Sequence, residues 1–344
     1  MHPFRYVAAT DIPEALAHMA ESPTSRFLAG GTTLVDLMKS GPEHPSLTVD
    51  INRIAGLRGI HFDNESGVLR LGALEKMSDV GADLDVRMNF PVISESLLFA
   101  ASGQLRNMAS LGGNLLQRTR CLYFRDHTFA CNKREPGMGC SAIGGVNRFL
   151  AVLGTSPSCI ANYPGDFAVA LAALDGVVHT TGGSDGDRSI PAVDLHTLPG
   201  EHPEVESVLS HGELITHITI HRTPCSMRSH YLKVRDRSSY EFASVSVAAG
   251  LDLTEDGTIR DVRIALGGLA AKPWRAMQAE DILRGRRIDD AAVVSAAVAA
   301  ALDGARAYSQ NGFKITQARA AIPRALHIAA EMVLDGPRVE GKHV

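Results

Sequence analysis

The chain has 344 residues, 45% of them hydrophobic and 21% charged, with a formal net charge of −4. These are ordinary globular proportions with a slightly acidic balance, which excludes a general nucleic-acid role and leaves room for two or three domains. The longest strongly apolar run, residues 291–302 (AAVVSAAVAAAL), is too short to cross a bilayer, so no membrane insertion is expected.

In chain order, residues 11–20 (DIPEALAHMA) predict a helix with Asp11 as N-cap and Pro13 in its first turn. Residues 26–29 predict a short buried strand, Gly30-Gly31-Thr32-Thr33 a turn, and residues 34–40 a helix stopping at Gly41. Strands are expected over 46–51 and 68–74, and helices over 78–86 and 90–101. A loop-like insertion over 117–162 precedes a helix over 166–174 and a strand from 176 to 181. A change of composition near 221–229 (HRTPCSMRS) marks a boundary, giving domains over 1–225 (divided near residue 55) and 226–344. Beyond it, residues 231–235, 242–253 and 259–269 predict three strands; FASVSVAAGLDL alternates in part, as a half-buried antiparallel strand does. Helices over 276–284, 289–308 and 323–334 follow, so this part is an α+β layer of one sheet backed by helices.

Four of the five cysteines, Cys121, Cys131, Cys140 and Cys159, fall in the insertion with spacing C-x9-C-x8-C-x18-C; Cys225 stands apart. A chain this long can bury a core without disulfide staples, and an odd count leaves a thiol over. Structural zinc is usually held by paired C-x2-4-C knuckles, and none is present. Iron–sulfur clusters take four thiolates at variable spacing. A cluster, a zinc ion and unrelated thiols all remain open on spacing alone. Arg118, Arg120, Arg125, Lys133, Arg134 and Arg148 flank the cysteines against only Asp126 and Glu135, and positive charge favours thiolates and an anionic cluster. The bland reading of the same run is a solvated basic loop.

Two glycine pairs carry the other signal. In Leu28-Ala29-Gly30-Gly31-Thr32-Thr33-Leu34 the glycines let backbone approach a phosphate, and a helix start follows. The second pair sits in a stretch with Gln104, Arg106, Asn107, Ser110, Gly112, Gly113 and Asn114. Each alone is as well explained by a tight turn. Two of them can clasp the two phosphates of one dinucleotide. Asp166 opens a helix, as a cap or as a partner for a ribityl or ribose hydroxyl, and Lys233 lies on a basic strand that can reach a cofactor. The 14 histidines form no H-E-x-x-H motif and read as surface or satisfied residues. There is no G-x-S-x-G elbow and no Walker P-loop.

Together these residues resemble the FAD-binding subunit of molybdenum hydroxylases, the xanthine dehydrogenase and carbon monoxide dehydrogenase group, over about residues 3–335. AGGTT at 29–33 looks like that family's first flavin pyrophosphate loop, and SLGGN at 110–114 like its second. GQLRN, GNLLQRTRC, CNKR-x-PG-x-GC and KVRDR-x-SY resemble the periplasmic aldehyde oxidoreductase branch, whose inserted loop holds a [4Fe–4S] cluster. Thr33 departs from the acidic or amide residue usual after AGGT, and Phe99 lies one position from where some relatives place an aromatic residue near the flavin ring.

The resemblance implies an α+β fold: a two-subdomain FAD-binding domain of the vanillyl-alcohol-oxidase type, then a three-stranded antiparallel sheet with helices. It implies FAD held by Leu28 to Leu34, Gln104, Arg106, Asn107, Ser110, Gly112, Gly113, Asn114, Asp166 and Lys233. It implies a [4Fe–4S] cluster on Cys121, Cys131, Cys140 and Cys159, and no catalytic side chain. The expected role is electron transfer in a heterotrimeric molybdenum-dependent aldehyde oxidoreductase. Its partners are a molybdenum-cofactor large subunit, a [2Fe–2S] small subunit and an external electron acceptor. The start MHPFRYVAATDIPE carries no secretory pattern, so a periplasmic location implies co-export with a signal-bearing partner. The rivals are the FAD subunit of a xanthine or carbon monoxide dehydrogenase-like enzyme, a stand-alone flavin oxidase, and a cluster-bearing scaffold without flavin. The short C-terminal domain argues against the oxidase, and the paired glycine loops against the scaffold.

Overall fold

The computed structural model describes residues 1–332, whose strands form three sheets. The first is parallel: β1 (Arg5–Ala8), β2 (Arg26–Leu28) and β3 (Leu47–Asp50), in the order β1-β3-β2. Parallel neighbours need crossovers, here supplied by the helices Ile12–Met19 and Leu34–Ser40. Asp11 caps the first helix as expected, accepting the Glu14 N–H at 2.8 Å. The second ends at Gly41, whose φ of 107° needs a residue without a Cβ. Ala15, Met19, Val49, Ile51 and Leu214 bury the seam between this layer and the next.

The second sheet is antiparallel, with β4 (Ile60–Asp63), β5 (Val68–Gly72), β6 (Val177–Thr181), β7 (Arg188–Pro191) and β8 (Leu214–His221) in the order β4-β5-β8-β6-β7. One face, with Leu69, Leu71, Val178, Ile218 and Ile220, is buried under helices that include Pro91–Leu98 and Phe167–Ala173. The other carries Arg70, Thr219 and the stacked rings of His179 and His217. The helix expected over 78–86 is two, Met77–Ala82 and Leu84–Asn89. Asp83 turns extended between them, and its carboxylate caps the second by accepting the Val86 N–H.

The third sheet, β9 (Ser229–Val234), β10 (Val245–Leu253), β11 (Ile259–Gly267) and the short β12 (Trp274–Arg275), is antiparallel in the order β12-β11-β10-β9. It has one strand more than expected. The helix expected over 289–308 stops at Ala301. The last helix runs Phe313–Ala330, ten residues earlier than its expected start. Pro323, the first residue of the expected helix, lies inside the observed one; the buried stripe Ala318, Ala321, Ile322, Ala325, Leu326 and Ala329 outweighs the lost backbone bond. Residues 333–334 of the expected helix lie outside the described residues. Every residue of Phe167–Ala173 is buried, and this helix packs on β10 and β11 as well as on Pro91–Leu98, joining the second and third layers. Among the described residues no helix is long and apolar enough to cross a membrane.

Candidate cofactor site

A cleft of about 640 Å³ opens where the first two layers meet, a size usual for small-molecule sites. Ala29 to Leu34 form one wall, and Ser110, Gly112 and Gly113 another. β2 ends at Leu28 and the chain turns sharply, with Gly31 at φ 71°. Gly30 must be glycine for a different reason: a Cβ there would lie 1.9 Å from the Met108 carbonyl oxygen. The backbone N–H groups of Gly30, Gly31, Thr32 and Thr33 donate to no acceptor among the described residues. Four consecutive free donors lining a cleft suit an anionic group.

The second loop differs. Leu111 N–H donates to Glu75 O, Gly112 N–H to Ala73 O at 2.9 Å and Gly113 N–H to Ser110 Oγ at 3.3 Å. Its donors are spent on docking the loop to the chain after β5. It shapes the wall, while the first loop offers the donors.

The inner end of the cleft is closed by Leu115, Tyr163 and His196. Tyr163 donates to the Asn114 and Leu115 carbonyls, and His196 Nε2 lies 2.8 Å from Leu115 O. Burial raises the Tyr163 phenol well above its ordinary range and pushes the His196 imidazole down to about 4, so both are neutral near pH 7. Arg118 forms part of the outer wall, pairing with Glu43 at 2.6 Å and with Glu206.

Several expected cofactor residues lie elsewhere. Leu28 stays in β2, and Gln104 and Asn107 are exposed on and just after the short helix Gly103–Arg106. Arg106 lines a smaller cleft with Phe99, Arg235 and Tyr240. Asn114 donates to Met77 Sδ and is not part of the cleft wall. Asp166 and Lys233 are brought together, but as a buried ion pair of 2.8 Å that joins helix Phe167–Ala173 to β9. Tyr231 donates to the other Asp166 oxygen at 2.8 Å, so this carboxylate does not cap its helix as expected.

Cys121, Cys131, Cys140 and Cys159 are all free thiols gathered in one small core with Leu37, Phe124 and Ile160. Cys131 and Cys140 face each other across a β-bridge. Burial pushes the Cys121 thiol up to about 12 and Cys159 to about 11, the latter opposed by the nearby Lys133 ammonium. Among the described residues no three His, Cys, Asp or Glu side chains converge on a single-ion site. The basic surroundings read from the sequence are largely neutralised by acids from elsewhere in the chain. Arg120 and Arg125 pair with Asp36, Arg118 with Glu43 and Glu206, Lys133 with Glu206, and Arg148 with Asp236.

Residues 2–222 match the FAD binding domain in molybdopterin dehydrogenase, and residues 230–321 the CO dehydrogenase flavoprotein C-terminal domain. The chain belongs to the FAD-binding subunits of the molybdenum hydroxylase family. It is 45% identical to the aldehyde oxidoreductase FAD-binding subunit PaoB of Escherichia coli K12, over 81% of this chain and 86% of PaoB. It is 26% identical to the glyceraldehyde dehydrogenase medium chain of Sulfolobus acidocaldarius, over 83% of each. Its fold matches CO dehydrogenase from Oligotropha carboxidovorans with a TM-score of 0.74 over 96% of this chain and 98% of that one, at 22% identity.

The cofactor of this family is FAD, and the cleft fits it. Gly30 packs so closely on the Met108 backbone that no side chain fits there, and the four free N–H groups of its loop suit a cofactor that carries two phosphates. The residues missed in sequence are Tyr163, His196, Glu43 and Glu206. No motif marks them: they reach the cleft only through tertiary folding, and His196 was one of the 14 histidines read as surface or satisfied residues.

Proposed function

We propose that this chain is the electron-transfer subunit of a heterotrimeric molybdenum-dependent aldehyde oxidoreductase, carrying FAD and a [4Fe–4S] cluster. The observation that carries the reading is the 45% identity to an aldehyde oxidoreductase FAD-binding subunit over most of both chains. In this reading electrons come from the molybdenum centre of a large subunit through the [2Fe–2S] centres of a small one and leave to an external acceptor. Bound FAD supplies the redox chemistry between those partners; the protein supplies binding and electrostatics. The N–H groups of Gly30 to Thr33 hold the pyrophosphate, Ser110 and the Gly112-Gly113 turn fix the facing wall, and Tyr163 and Leu115 close the inner end against water. The two N-terminal layers then act as the paired flavin-binding subdomains.

The cluster is assigned to Cys121, Cys131, Cys140 and Cys159. Support comes from four free thiols sharing one core, the donor set that an iron–sulfur cluster takes. The chain folds in the cytoplasm and reaches the periplasm with a signal-bearing partner; fractionation of cells lacking the partner's signal tests this, and a periplasmic chain there contradicts it. The decisive test of function uses the purified chain and the reconstituted complex. The chain alone should release FAD on denaturation and leave aldehydes untouched, while the three-subunit complex oxidises them. FMN in place of FAD, or aldehyde turnover by the chain alone, overturns the reading.

A further inference from the structure

His196 is 5% exposed, lines the cleft and comes from the segment just after β7, far in sequence from either glycine loop. Its Nε2 meets the Leu115 carbonyl at 2.8 Å. A carbonyl only accepts, so Nε2 carries the ring proton and Nδ1 is a bare acceptor. Nδ1 is buried and has no hydrogen-bond partner among the described residues. The ring is held in place. It packs on Tyr163 with centroids 4.4 Å apart, and that phenol is tied to the Asn114 and Leu115 carbonyls. Protein interiors rarely leave a buried acceptor unpaired, so an orphan on a residue of the cleft lining calls for a donor that the chain itself does not supply.

We propose that His196 Nδ1 accepts a hydrogen bond from a hydroxyl or N–H group of the bound dinucleotide, making His196 a cofactor-recognising residue at the inner end of the cleft. This rests on the reading that the cleft holds FAD. Phosphate and carbonyl oxygens have no proton to give, so the pyrophosphate is not the partner. The donors that FAD offers are its ribityl and ribose hydroxyls, the adenine amine and the flavin ring N–H. The phosphates are left to the first glycine loop, whose free N–H groups have the opposite polarity.

Two variants separate recognition from simple clamping. Asn places an amide oxygen near the Nδ1 position and loses the donor to Leu115 O. Gln places an amide N–H near the Nε2 position and loses the acceptor. The full chain, stripped of flavin, is titrated with FAD, and the melting temperature of each variant is recorded. Recognition predicts that His196→Gln binds FAD about tenfold more weakly with a melting temperature near wild type, the effect of one hydrogen bond lost from binding. His196→Asn should bind FAD more tightly than His196→Gln although it melts lower. Equal FAD affinity in wild type and His196→Gln, or weaker binding by His196→Asn than by His196→Gln, overturns the proposal and leaves His196 as a clamp on Leu115. Repeating the titrations with FMN and with ADP places the donor in the flavin or the adenosine half. Should His196→Gln not fold, wild-type protein with isotopically nitrogen-labelled histidine gives the answer. The Nδ1 resonance must move from that of a free imine nitrogen when FAD is added, and an unmoved resonance refutes the contact. A wild-type chain that fails to bind FAD defeats the underlying reading instead.

Discussion

The cofactor cleft and the cysteine-bearing segment share a wall, since Leu37, Lys133 and Ala161 border both, yet they are built by different means. The glycine-loop side of the cleft is made of backbone. Its donors are main-chain N–H groups, and its shape depends on glycines at points of close approach. The cysteine segment is made of side chains. Three of its thiols are buried and Cys140 is half-buried, and its end is tied to the last helix region by Asn147, Asn311 and Lys314. A backbone site needs no ligand to keep its form. A cage of four thiols depends on every one of its side chains for whatever it binds. The two sites should therefore respond oppositely to substitution: the cleft to added atoms, the cysteine segment to removed ones.

The largest expected effect is in the cysteine segment. Changing Cys121, Cys131, Cys140 or Cys159 to Ser should abolish bound iron and acid-labile sulfide in anaerobically purified protein. Cys225→Ser should leave both unchanged, because Cys225 is buried beside Gly250, away from the other four. Full iron content in any of the four variants breaks the assignment, and zinc in fresh wild-type protein replaces it with another metal.

In the cleft, Gly30→Ala adds one methyl where 1.9 Å separates it from Met108 O. Backbone cannot swing aside as a side chain can, so the first loop must lift off the second. We expect a stability loss of about 1–3 kcal/mol, the usual cost of overpacking, with loss of FAD. Gly113→Ala is the matched control: its Cβ would meet only the Ser110 hydroxyl, at 2.9 Å, and should cost much less. Denaturant melts and flavin content check both. Equal losses in the two variants would mean that close backbone approach does not shape the cleft.

The contrast also explains what was legible in the sequence. Gly30-Gly31 reads as a strand-to-helix turn because local chemistry decides it, and the structure has β2 ending at Leu28 and a helix starting at Leu34. The grouping of the four cysteines is equally local in sequence. The acids Asp36, Glu43 and Glu206 that neutralise their basic neighbours are not, since they lie outside the segment and arrive by folding. Asp166 and Lys233 were expected to reach a cofactor, whereas burial between two layers gives them each other. The most telling miss is β8. LITHITIH alternates enough to predict a strand, and its apolar positions Ile218 and Ile220 are fully buried at the centre of the five-stranded sheet.

The smallest effect concerns Lys314, which anchors the end of the cysteine segment. Its ammonium is fully buried and donates to the carbonyls of Gly268, Leu150 and Phe149 at 2.5, 2.9 and 3.3 Å, with no carboxylate partner in an ion pair among the described residues. Burial pushes its pKa from 10.5 down to about 7. Between those values the unfolded chain binds a proton that the folded chain lacks, so stability must rise with pH across that window. The slope is at most about 1.4 kcal/mol per pH unit for one proton. Below pH 7 both states are protonated and this contribution is flat. Lys314→Met removes the titrating group, so the stability difference between wild type and variant should grow in favour of wild type from pH 7.5 to 9.5. Denaturant unfolding at both values measures it. A difference that does not change with pH would show that the three carbonyls hold the ammonium charged, and that hydrogen bonding rather than burial sets the state of this anchor.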